Sequence, residues 1–171
     1  MANDIVVLLA AYNGERYLQA QLDSILGSDY TGRISVLLGL DPSTDGSRAV
    51  LDHYDSGVVA VIEHTTPSGS AMGNFSRLMQ YASSHRTENY FSLSDQDDVW
   101  LPGKLALGME RLKAMERNYG DAVPLLVFSD AEVVDEELRT IAPSFWRYEK
   151  LQADLCRAYK SLAIQNVGQG C

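Results

Sequence analysis

Apolar and polar positions fall along the chain in two alternating kinds of block. Residues 5–10 (IVVLLA) are a continuous apolar run of strand length, closed by the turn signal Asn13-Gly14, and this predicts a strand buried on both faces. Leu18, Leu22, Ile25 and Leu26 then recur at helical spacing, with Gly27 as a stop. The alternation repeats: a strand at 34–40 and a short helix from about Ser47; a strand at 58–62 and a helix carried by Met72, Phe75, Leu78, Met79 and Ala82. A strand at 90–93 follows, then a helix from Lys104 through Leu105, Met109, Leu112 and Met115 to a breaker at Asn118-Tyr119-Gly120, and a last strand at 125–128. Strands alternating with helices predict an α/β fold, a mostly parallel sheet with helices on both faces, as a single domain over 1–171.

Ligands of such sheets bind beyond the carboxyl ends of the strands. The polar exits there are Tyr12-Asn13 after the first strand, Asp41 after the second, Asp95 to Asp98 after the fourth, and Ser129-Asp130 after the fifth. The fourth, in YFSLSDQDDVWLPGKL, places three carboxylates where a buried strand ends, and their mutual repulsion needs compensation by water, hydrogen bonds or a cation. Alternate positions of an extended chain share a face, so Asp95 and Asp97 point together and Gln96 away. Mg²⁺ or Mn²⁺ often takes only one or two protein carboxylates and completes its octahedron with substrate phosphates and water. On the triplet alone, helix capping or a solvated turn remains an equal alternative.

Composition narrows the classes. The chain is 46% hydrophobic and 22% charged, which suits a globular core, and its formal charge of −9 opposes a basic nucleic-acid or anionic-membrane surface. No apolar run reaches bilayer length and the start lacks a signal-peptide pattern, so a cytoplasmic location is expected. Cys156 and Cys171 form no CxxC and are read as reduced thiols, and His53, His64 and His85 form no spaced metal cluster and receive no role. An EF-hand from Asp95 fails at Trp100 and Ala106, and neither GxGxxG nor a P-loop is present.

The segments VVLLAAYNGERYLQAQLDSIL, LDPSTDGS and SLSDQDDVWLPGKL, in this order and spacing, resemble the family 2 inverting glycosyltransferases of GT-A fold, and FSDAEVVDEELRTIAPSFW resembles their bacterial polysaccharide, rhamnosyltransferase-like subgroup. The resemblance puts the nucleotide base at Tyr12, packing on it, and at Asp41, accepting a hydrogen bond. Asp95 and Asp97 match the DxD motif that holds Mn²⁺ or Mg²⁺ against the donor pyrophosphate, Asp97 as direct ligand and Asp95 beside it; Asp98 orients the loop or caps the helix. Asn74 and Asp130 are second-tier candidates for the cleft and the sugars, and Arg77 and Lys104 for the pyrophosphate. Trp100 and Pro102 match the loop after the motif. The second exit departs from the family's Asp-Asp-Gly-Ser: Pro42 removes a glycine's freedom and backbone donor.

The resemblance implies inverting transfer of sugar from a nucleotide-diphospho-sugar to a saccharide or lipid-linked acceptor in cell-surface polysaccharide synthesis, with peripheral association at the inner face of the membrane compatible with it. The family's catalytic base and acceptor region lie C-terminal to the end of this sequence, so no catalytic base is assigned. Rival readings are a non-catalytic nucleotide-sugar-binding fragment and an assembly partner in a polysaccharide-synthesis complex.

Overall fold

The structure, a computed structural model, describes residues 3–120 and 122–152. The chain divides into two compact units with the boundary between Leu107 and Gly108.

The first unit is built on a four-stranded parallel sheet in the order β3-β2-β1-β4. Its strands are β1 (Ile5–Ala11), β2 (Ile34–Leu40), β3 (Val59–Glu63) and β4 (Tyr90–Ser94), with α1 (Leu18–Leu26), α2 (Ser47–Leu51) and α3 (Ala71–His85) in the connections. β1 is central and buried at every position, as a strand with a covered sheet on either side must be. On one face Val6, Leu8 and Leu37 pack with Leu78 and Ala82 of α3. The other face carries Val7, Leu9, Val36 and Leu38, all fully buried. Ser94 is paired with Leu9 and shares that second face, and the buried Gln21 of α1 reaches it, so α1 covers the side opposite α3. Helices on both faces agree with the alternating pattern of the sequence.

Local chemistry sets the ends of these elements. Ser70 caps α3 by accepting from Gly73 N at 3.1 Å, which satisfies one of the free N–H groups of the first turn. Gly39 matters for a different reason. A Cβ there would come within 2.2 Å of Asn74 Oδ1, so the glycine lets α3 lay a buried amide on β2.

α4 (Lys104–Tyr119) begins in the first unit and continues into the second, which contains the antiparallel pair β5 (Val133–Val134) and β6 (Thr140–Ala142) and the short α5 (Phe145–Tyr148). The strand expected at 125–128 does not form: residues 124–130 carry no ladder. An apolar run does not by itself specify pairing, and here Leu126 is 51% exposed while Phe128 packs edge-on against Trp146, their ring centroids 6.2 Å apart. The pairing of this unit goes instead to β5 and β6. Cys156 and Cys171 lie outside the described residues.

Candidate functional site

The carboxyl ends of β1, β2 and β4 bring their exits together at one edge of the first unit. The exits of β1 and β2 are laced by five hydrogen bonds. Asn13 N donates to Ser43 Oγ (3.0 Å), Gly14 N to Ser47 Oγ (2.8 Å) and Glu15 N to Asp45 Oδ2 (3.0 Å). In return Thr44 N donates to Asn13 Oδ1 and Gly46 N to Glu15 Oε2, each at 2.8 Å. Asn13 takes a φ of 48°, a left-handed conformation that asparagine tolerates better than most residues. Partial burial opposes ionisation of Asp45, but the bonds from Ser47 and from the Glu15 N–H outweigh it and hold this carboxyl below the ordinary range.

Beside this lacing a cleft of ≈ 180 Å³ is lined by residues that include Asp41, Pro42, Arg48, Glu63 and His64. Asp41 is 7% exposed and accepts from Ser68 N (3.1 Å to Oδ2) and from Ser68 Oγ, so the loop before α3 closes over its carboxylate. That loop is fixed in turn by Arg77, which donates to the carbonyls of Thr66 (2.7 Å) and Pro67 (3.2 Å). Arg77 therefore supports the loop rather than presenting a free cation to a pyrophosphate. Asn74 was expected to line the cleft and does not. It is buried at 2% exposure, donates to Gly39 O (2.8 Å) and accepts from His64 Nε2 (3.1 Å), so it lies beneath the cleft and sets the orientation of a histidine that does line it. Tyr12, by contrast, is 56% exposed beside the lacing, an aromatic residue available to pack on a planar ligand.

The exit of β4 is anchored from below by α1. In the amide orientation that gives both ends complementary partners, Gln21 donates to Asp98 O and accepts from Ser94 Oγ and from the Trp100 indole at 3.3 Å. Trp100 N donates to Ser24 Oγ (2.9 Å), and Pro102 O accepts from Asp29 N (3.1 Å) and Ser28 Oγ (3.0 Å). Trp100 thus joins the loop to α1, and Pro102 joins it to the turn that follows α1. Gln96, expected to turn from the carboxylates, reaches back to Tyr12: Tyr12 N donates to Gln96 Oε1 (2.8 Å) and Gln96 Nε2 to Tyr12 O (3.0 Å).

The carboxylates of this loop crowd one another. Desolvation by the surrounding protein, and then the charge of Asp97, raise the pKa of Asp95. Desolvation, followed by the charges of Asp95 and Asp97, raises that of Asp98, with Lys104 opposing. Lys104 also lies 4.9 Å from the Trp100 ring centroid, a cation–π contact at the start of α4. Among the described residues no group of three or more His, Cys, Asp or Glu side chains is arranged to enclose a metal ion. An octahedral cation that takes two carboxylates and completes its shell with phosphate oxygens and water needs no such enclosure. Asp95 and Asp97, crowded and repelling, fit that donor set.

Asp130 belongs to the second unit and is committed there. Burial opposes its ionisation, but Ser144 Oγ (2.5 Å), Trp146 N (3.0 Å) and Ala131 N (2.9 Å) donate to it and hold its pKa down. This is the environment of a turn-fixing carboxylate, not of a proton acceptor. His64, Ser68, Gln21 and Gln96 received no role from the sequence. Only the Gly39 that admits Asn74, and the Gly14 that admits Gln96, left any mark of them in it.

Known proteins resemble this chain in sequence and in fold. The chain is 26% identical over 139 residues to the dTDP-rhamnosyl transferase RfbG of Shigella flexneri, covering 80% of this chain and 43% of that protein. The fold is similar to that of S. aureus TarS (TM-score 0.55, 20% identity, 77% of this chain and 25% of TarS). It is also similar to the mannosyltransferase PcManGT from Pyrobaculum calidifontis, solved with GDP-Man and Mn²⁺ (TM-score 0.56, 21% identity, 66% of this chain and 33% of that one). These likenesses make the fold GT-A. Residues 6–162 match Glycosyl transferase family 2, and the chain belongs to that family.

Proposed function

We propose that this chain carries the donor-binding region of an inverting glycosyltransferase, which moves sugar from a nucleoside-diphospho-sugar to a saccharide or lipid-linked acceptor in bacterial cell-surface polysaccharide synthesis. The observation that carries the reading is the meeting, at one sheet edge, of an exposed Tyr12 ring, a cleft walled by Asp41, and a repelling carboxylate loop at Asp95 to Asp98. A nucleoside diphosphate has the matching parts: a flat base with N–H donors and a polyanionic tail.

In this reading Tyr12 packs on the base and Asp41 accepts from it, with Ser68 holding the Asp41 carboxylate in place. A pyrimidine with an N3–H donor fits a carboxylate already half engaged, and the relative named as a dTDP-rhamnosyl transferase makes dTDP-sugars the first donors to test. Asp97 and Asp95 would hold Mn²⁺ or Mg²⁺, which supplies Lewis-acid stabilisation of the charge on the departing diphosphate. Through a cation the carboxylates would orient that tail, Lys104 opposes the repulsion at Asp98, and the bonds of Trp100 to Ser24 and of Pro102 to Ser28 tie the loop down.

The direct test is a thermal-shift and calorimetric screen of nucleoside diphosphates and their sugars, each with Mn²⁺ and with EDTA. A true ligand at 100 times its dissociation constant adds about 2.7 kcal/mol of stability. A melting temperature unmoved by any of them, with or without metal, overturns the reading. Transfer is then followed as release of nucleoside diphosphate together with glycoside product.

A further inference from the structure

We propose that Gln96 is a positioning residue that couples base binding at Tyr12 to cation binding at Asp95 and Asp97, so that each ligand strengthens the other. The inference rests on the reading above and extends it to a residue with no direct contact with either ligand.

The geometry is specific. β1 and β4 are paired in parallel register up to Leu9 with Ser94, and the backbone ladder ends there. Beyond it the Gln96 carboxamide takes the place of a peptide group. It accepts from Tyr12 N at 2.8 Å and donates to Tyr12 O at 3.0 Å, and so continues the join between the strands by a side chain. A carboxamide carries one donor end and one acceptor end at fixed separation, which this double bond requires; Glu lacks the donor, Asn is one methylene shorter, and Ala has neither. Gly14 makes room for it. A Cβ at position 14 would lie 2.5 Å from Gln96 Oε1, and Gly14 N is itself held by Ser47 Oγ, so the amide is wedged over the laced β1 exit.

Sequence position then gives the consequence. Gln96 stands between Asp95 and Asp97, so the loop that carries the repelling carboxylates is bonded directly to the backbone of the residue whose ring is exposed for the base. Because Gln96 is bonded through both ends of its amide to Tyr12, the placement of the loop and the placement of Tyr12 depend on each other. A cation that settles the carboxylates also settles Tyr12, and a base that fixes Tyr12 orders the loop for the cation. When one ligand has already ordered what a second must order, the two bind with positive coupling, and the coupling is the same in both directions.

The test is a four-corner binding cycle by calorimetry: affinity for dTDP and for UDP in Mn²⁺ and in EDTA, and affinity for Mn²⁺ alone and in saturating nucleotide. It is run on the parent, on Gln96→Ala and on Gly14→Ala, whose added Cβ displaces the amide from the other side. The coupling factor, the ratio of nucleotide affinities with and without Mn²⁺, should fall at least about fivefold in both variants, while thymidine or uridine alone binds within about twofold of the parent. An unchanged coupling factor overturns the proposal, whether or not absolute affinities drop, because a merely loosened loop weakens both arms alike. If Gln96→Ala does not fold, Gly14→Ala and Gln96→Glu decide by the same criterion. A parent that binds nucleotide equally well with and without Mn²⁺ removes the metal reading itself, and the coupling with it. A parent with coupling that both variants retain sinks the inference alone.

Discussion

Asp45 and Asp95 are both aspartates that follow a parallel strand, in exits that meet at the same sheet edge, yet their surroundings push their ionisation in opposite directions. Asp45 receives bonds from the Glu15 N–H and from Ser47, and its pKa is lowered. Asp95 meets desolvation and the charge of Asp97, and its pKa is raised. Gln21, Ser24 and Gln96 bond the carboxylate loop to its surroundings. Asp95 is left beside the like charge of Asp97, whereas at Asp98 Lys104 opposes the repulsion. A structural carboxylate is satisfied by its own chain, whereas one kept for a cation carries a cost that the cation removes.

The largest effect that would break this comparison is on metal-dependent binding. Asp97→Ala should reduce nucleoside-diphosphate affinity in Mn²⁺ by more than about a hundredfold, a greater loss than changing an outer partner of a metal site produces. Affinity in EDTA should stay close to the parent's and the fold should be retained. Equal binding in Mn²⁺ by parent and variant would remove Asp97 from the ligand set.

Asp41→Ala is the next largest and differs in kind. Loss of a hydrogen bond to a charged group costs about 1.5–3 kcal/mol, or roughly ten- to more than a hundredfold in affinity. The loss should be alike in Mn²⁺ and in EDTA if, as proposed, Asp41 accepts from the base rather than lying at the diphosphate. A loss confined to Mn²⁺ would mean that the two ends of the nucleotide have been exchanged.

Stability should separate the two loops by sign. Asp45→Ala removes the acceptor for Ser47 N and Glu15 N and should cost about 1 kcal/mol, the usual net scale of a lost hydrogen bond. Asp95→Asn, measured in EDTA, should instead raise the melting temperature, since it removes one charge from a repelling set. A fall in both, or a rise in both, would show that the two carboxylate environments are not distinct.

How much of this was visible beforehand follows from the range of each interaction. Local periodicity was enough for β1, whose seven residues are all buried, and for α3, whose Leu78 and Ala82 face the sheet. The exits at Tyr12, Asp41 and Asp95 followed from strand ends and the topology of parallel sheets. What stayed hidden was long-range polar contact: Gln96 and Tyr12 are 84 residues apart, Gln21 and Ser94 73, and Ser68 and Asp41 27. A glutamine that forms such a bond looks the same in sequence as a solvated one. Residues 125–128 misled in the other direction, because hydrophobicity reports that a segment seeks cover and says nothing about which backbone it will pair with.

The smallest expected effect is the pH dependence of the Asp45 contribution, and it tests the comparison without any ligand. The folded-state pKa of Asp45 lies below the unfolded value of 3.8, so the folded chain holds this carboxyl ionised where the unfolded chain begins to protonate it. The unfolded state therefore binds more protons over that interval, and stability rises with pH across it. Stability from Asp45 is thus fully present above 3.8 and is lost as pH falls through the lowered folded value. Asp45→Asn keeps the side chain's size but cannot ionise, so its deficit relative to the parent should be greatest at neutral pH and shrink as both are acidified. Asp130 follows the same rule in the second unit, where Ser144 and two backbone N–H groups supply the stabilisation. Paired melts of parent and Asp45→Asn in EDTA, from neutral pH down to about pH 3, give the difference directly. A deficit that grows on acidification would mean that the ionised Asp45 is a burden on the fold, which would place it with Asp95 and erase the distinction between the two loops.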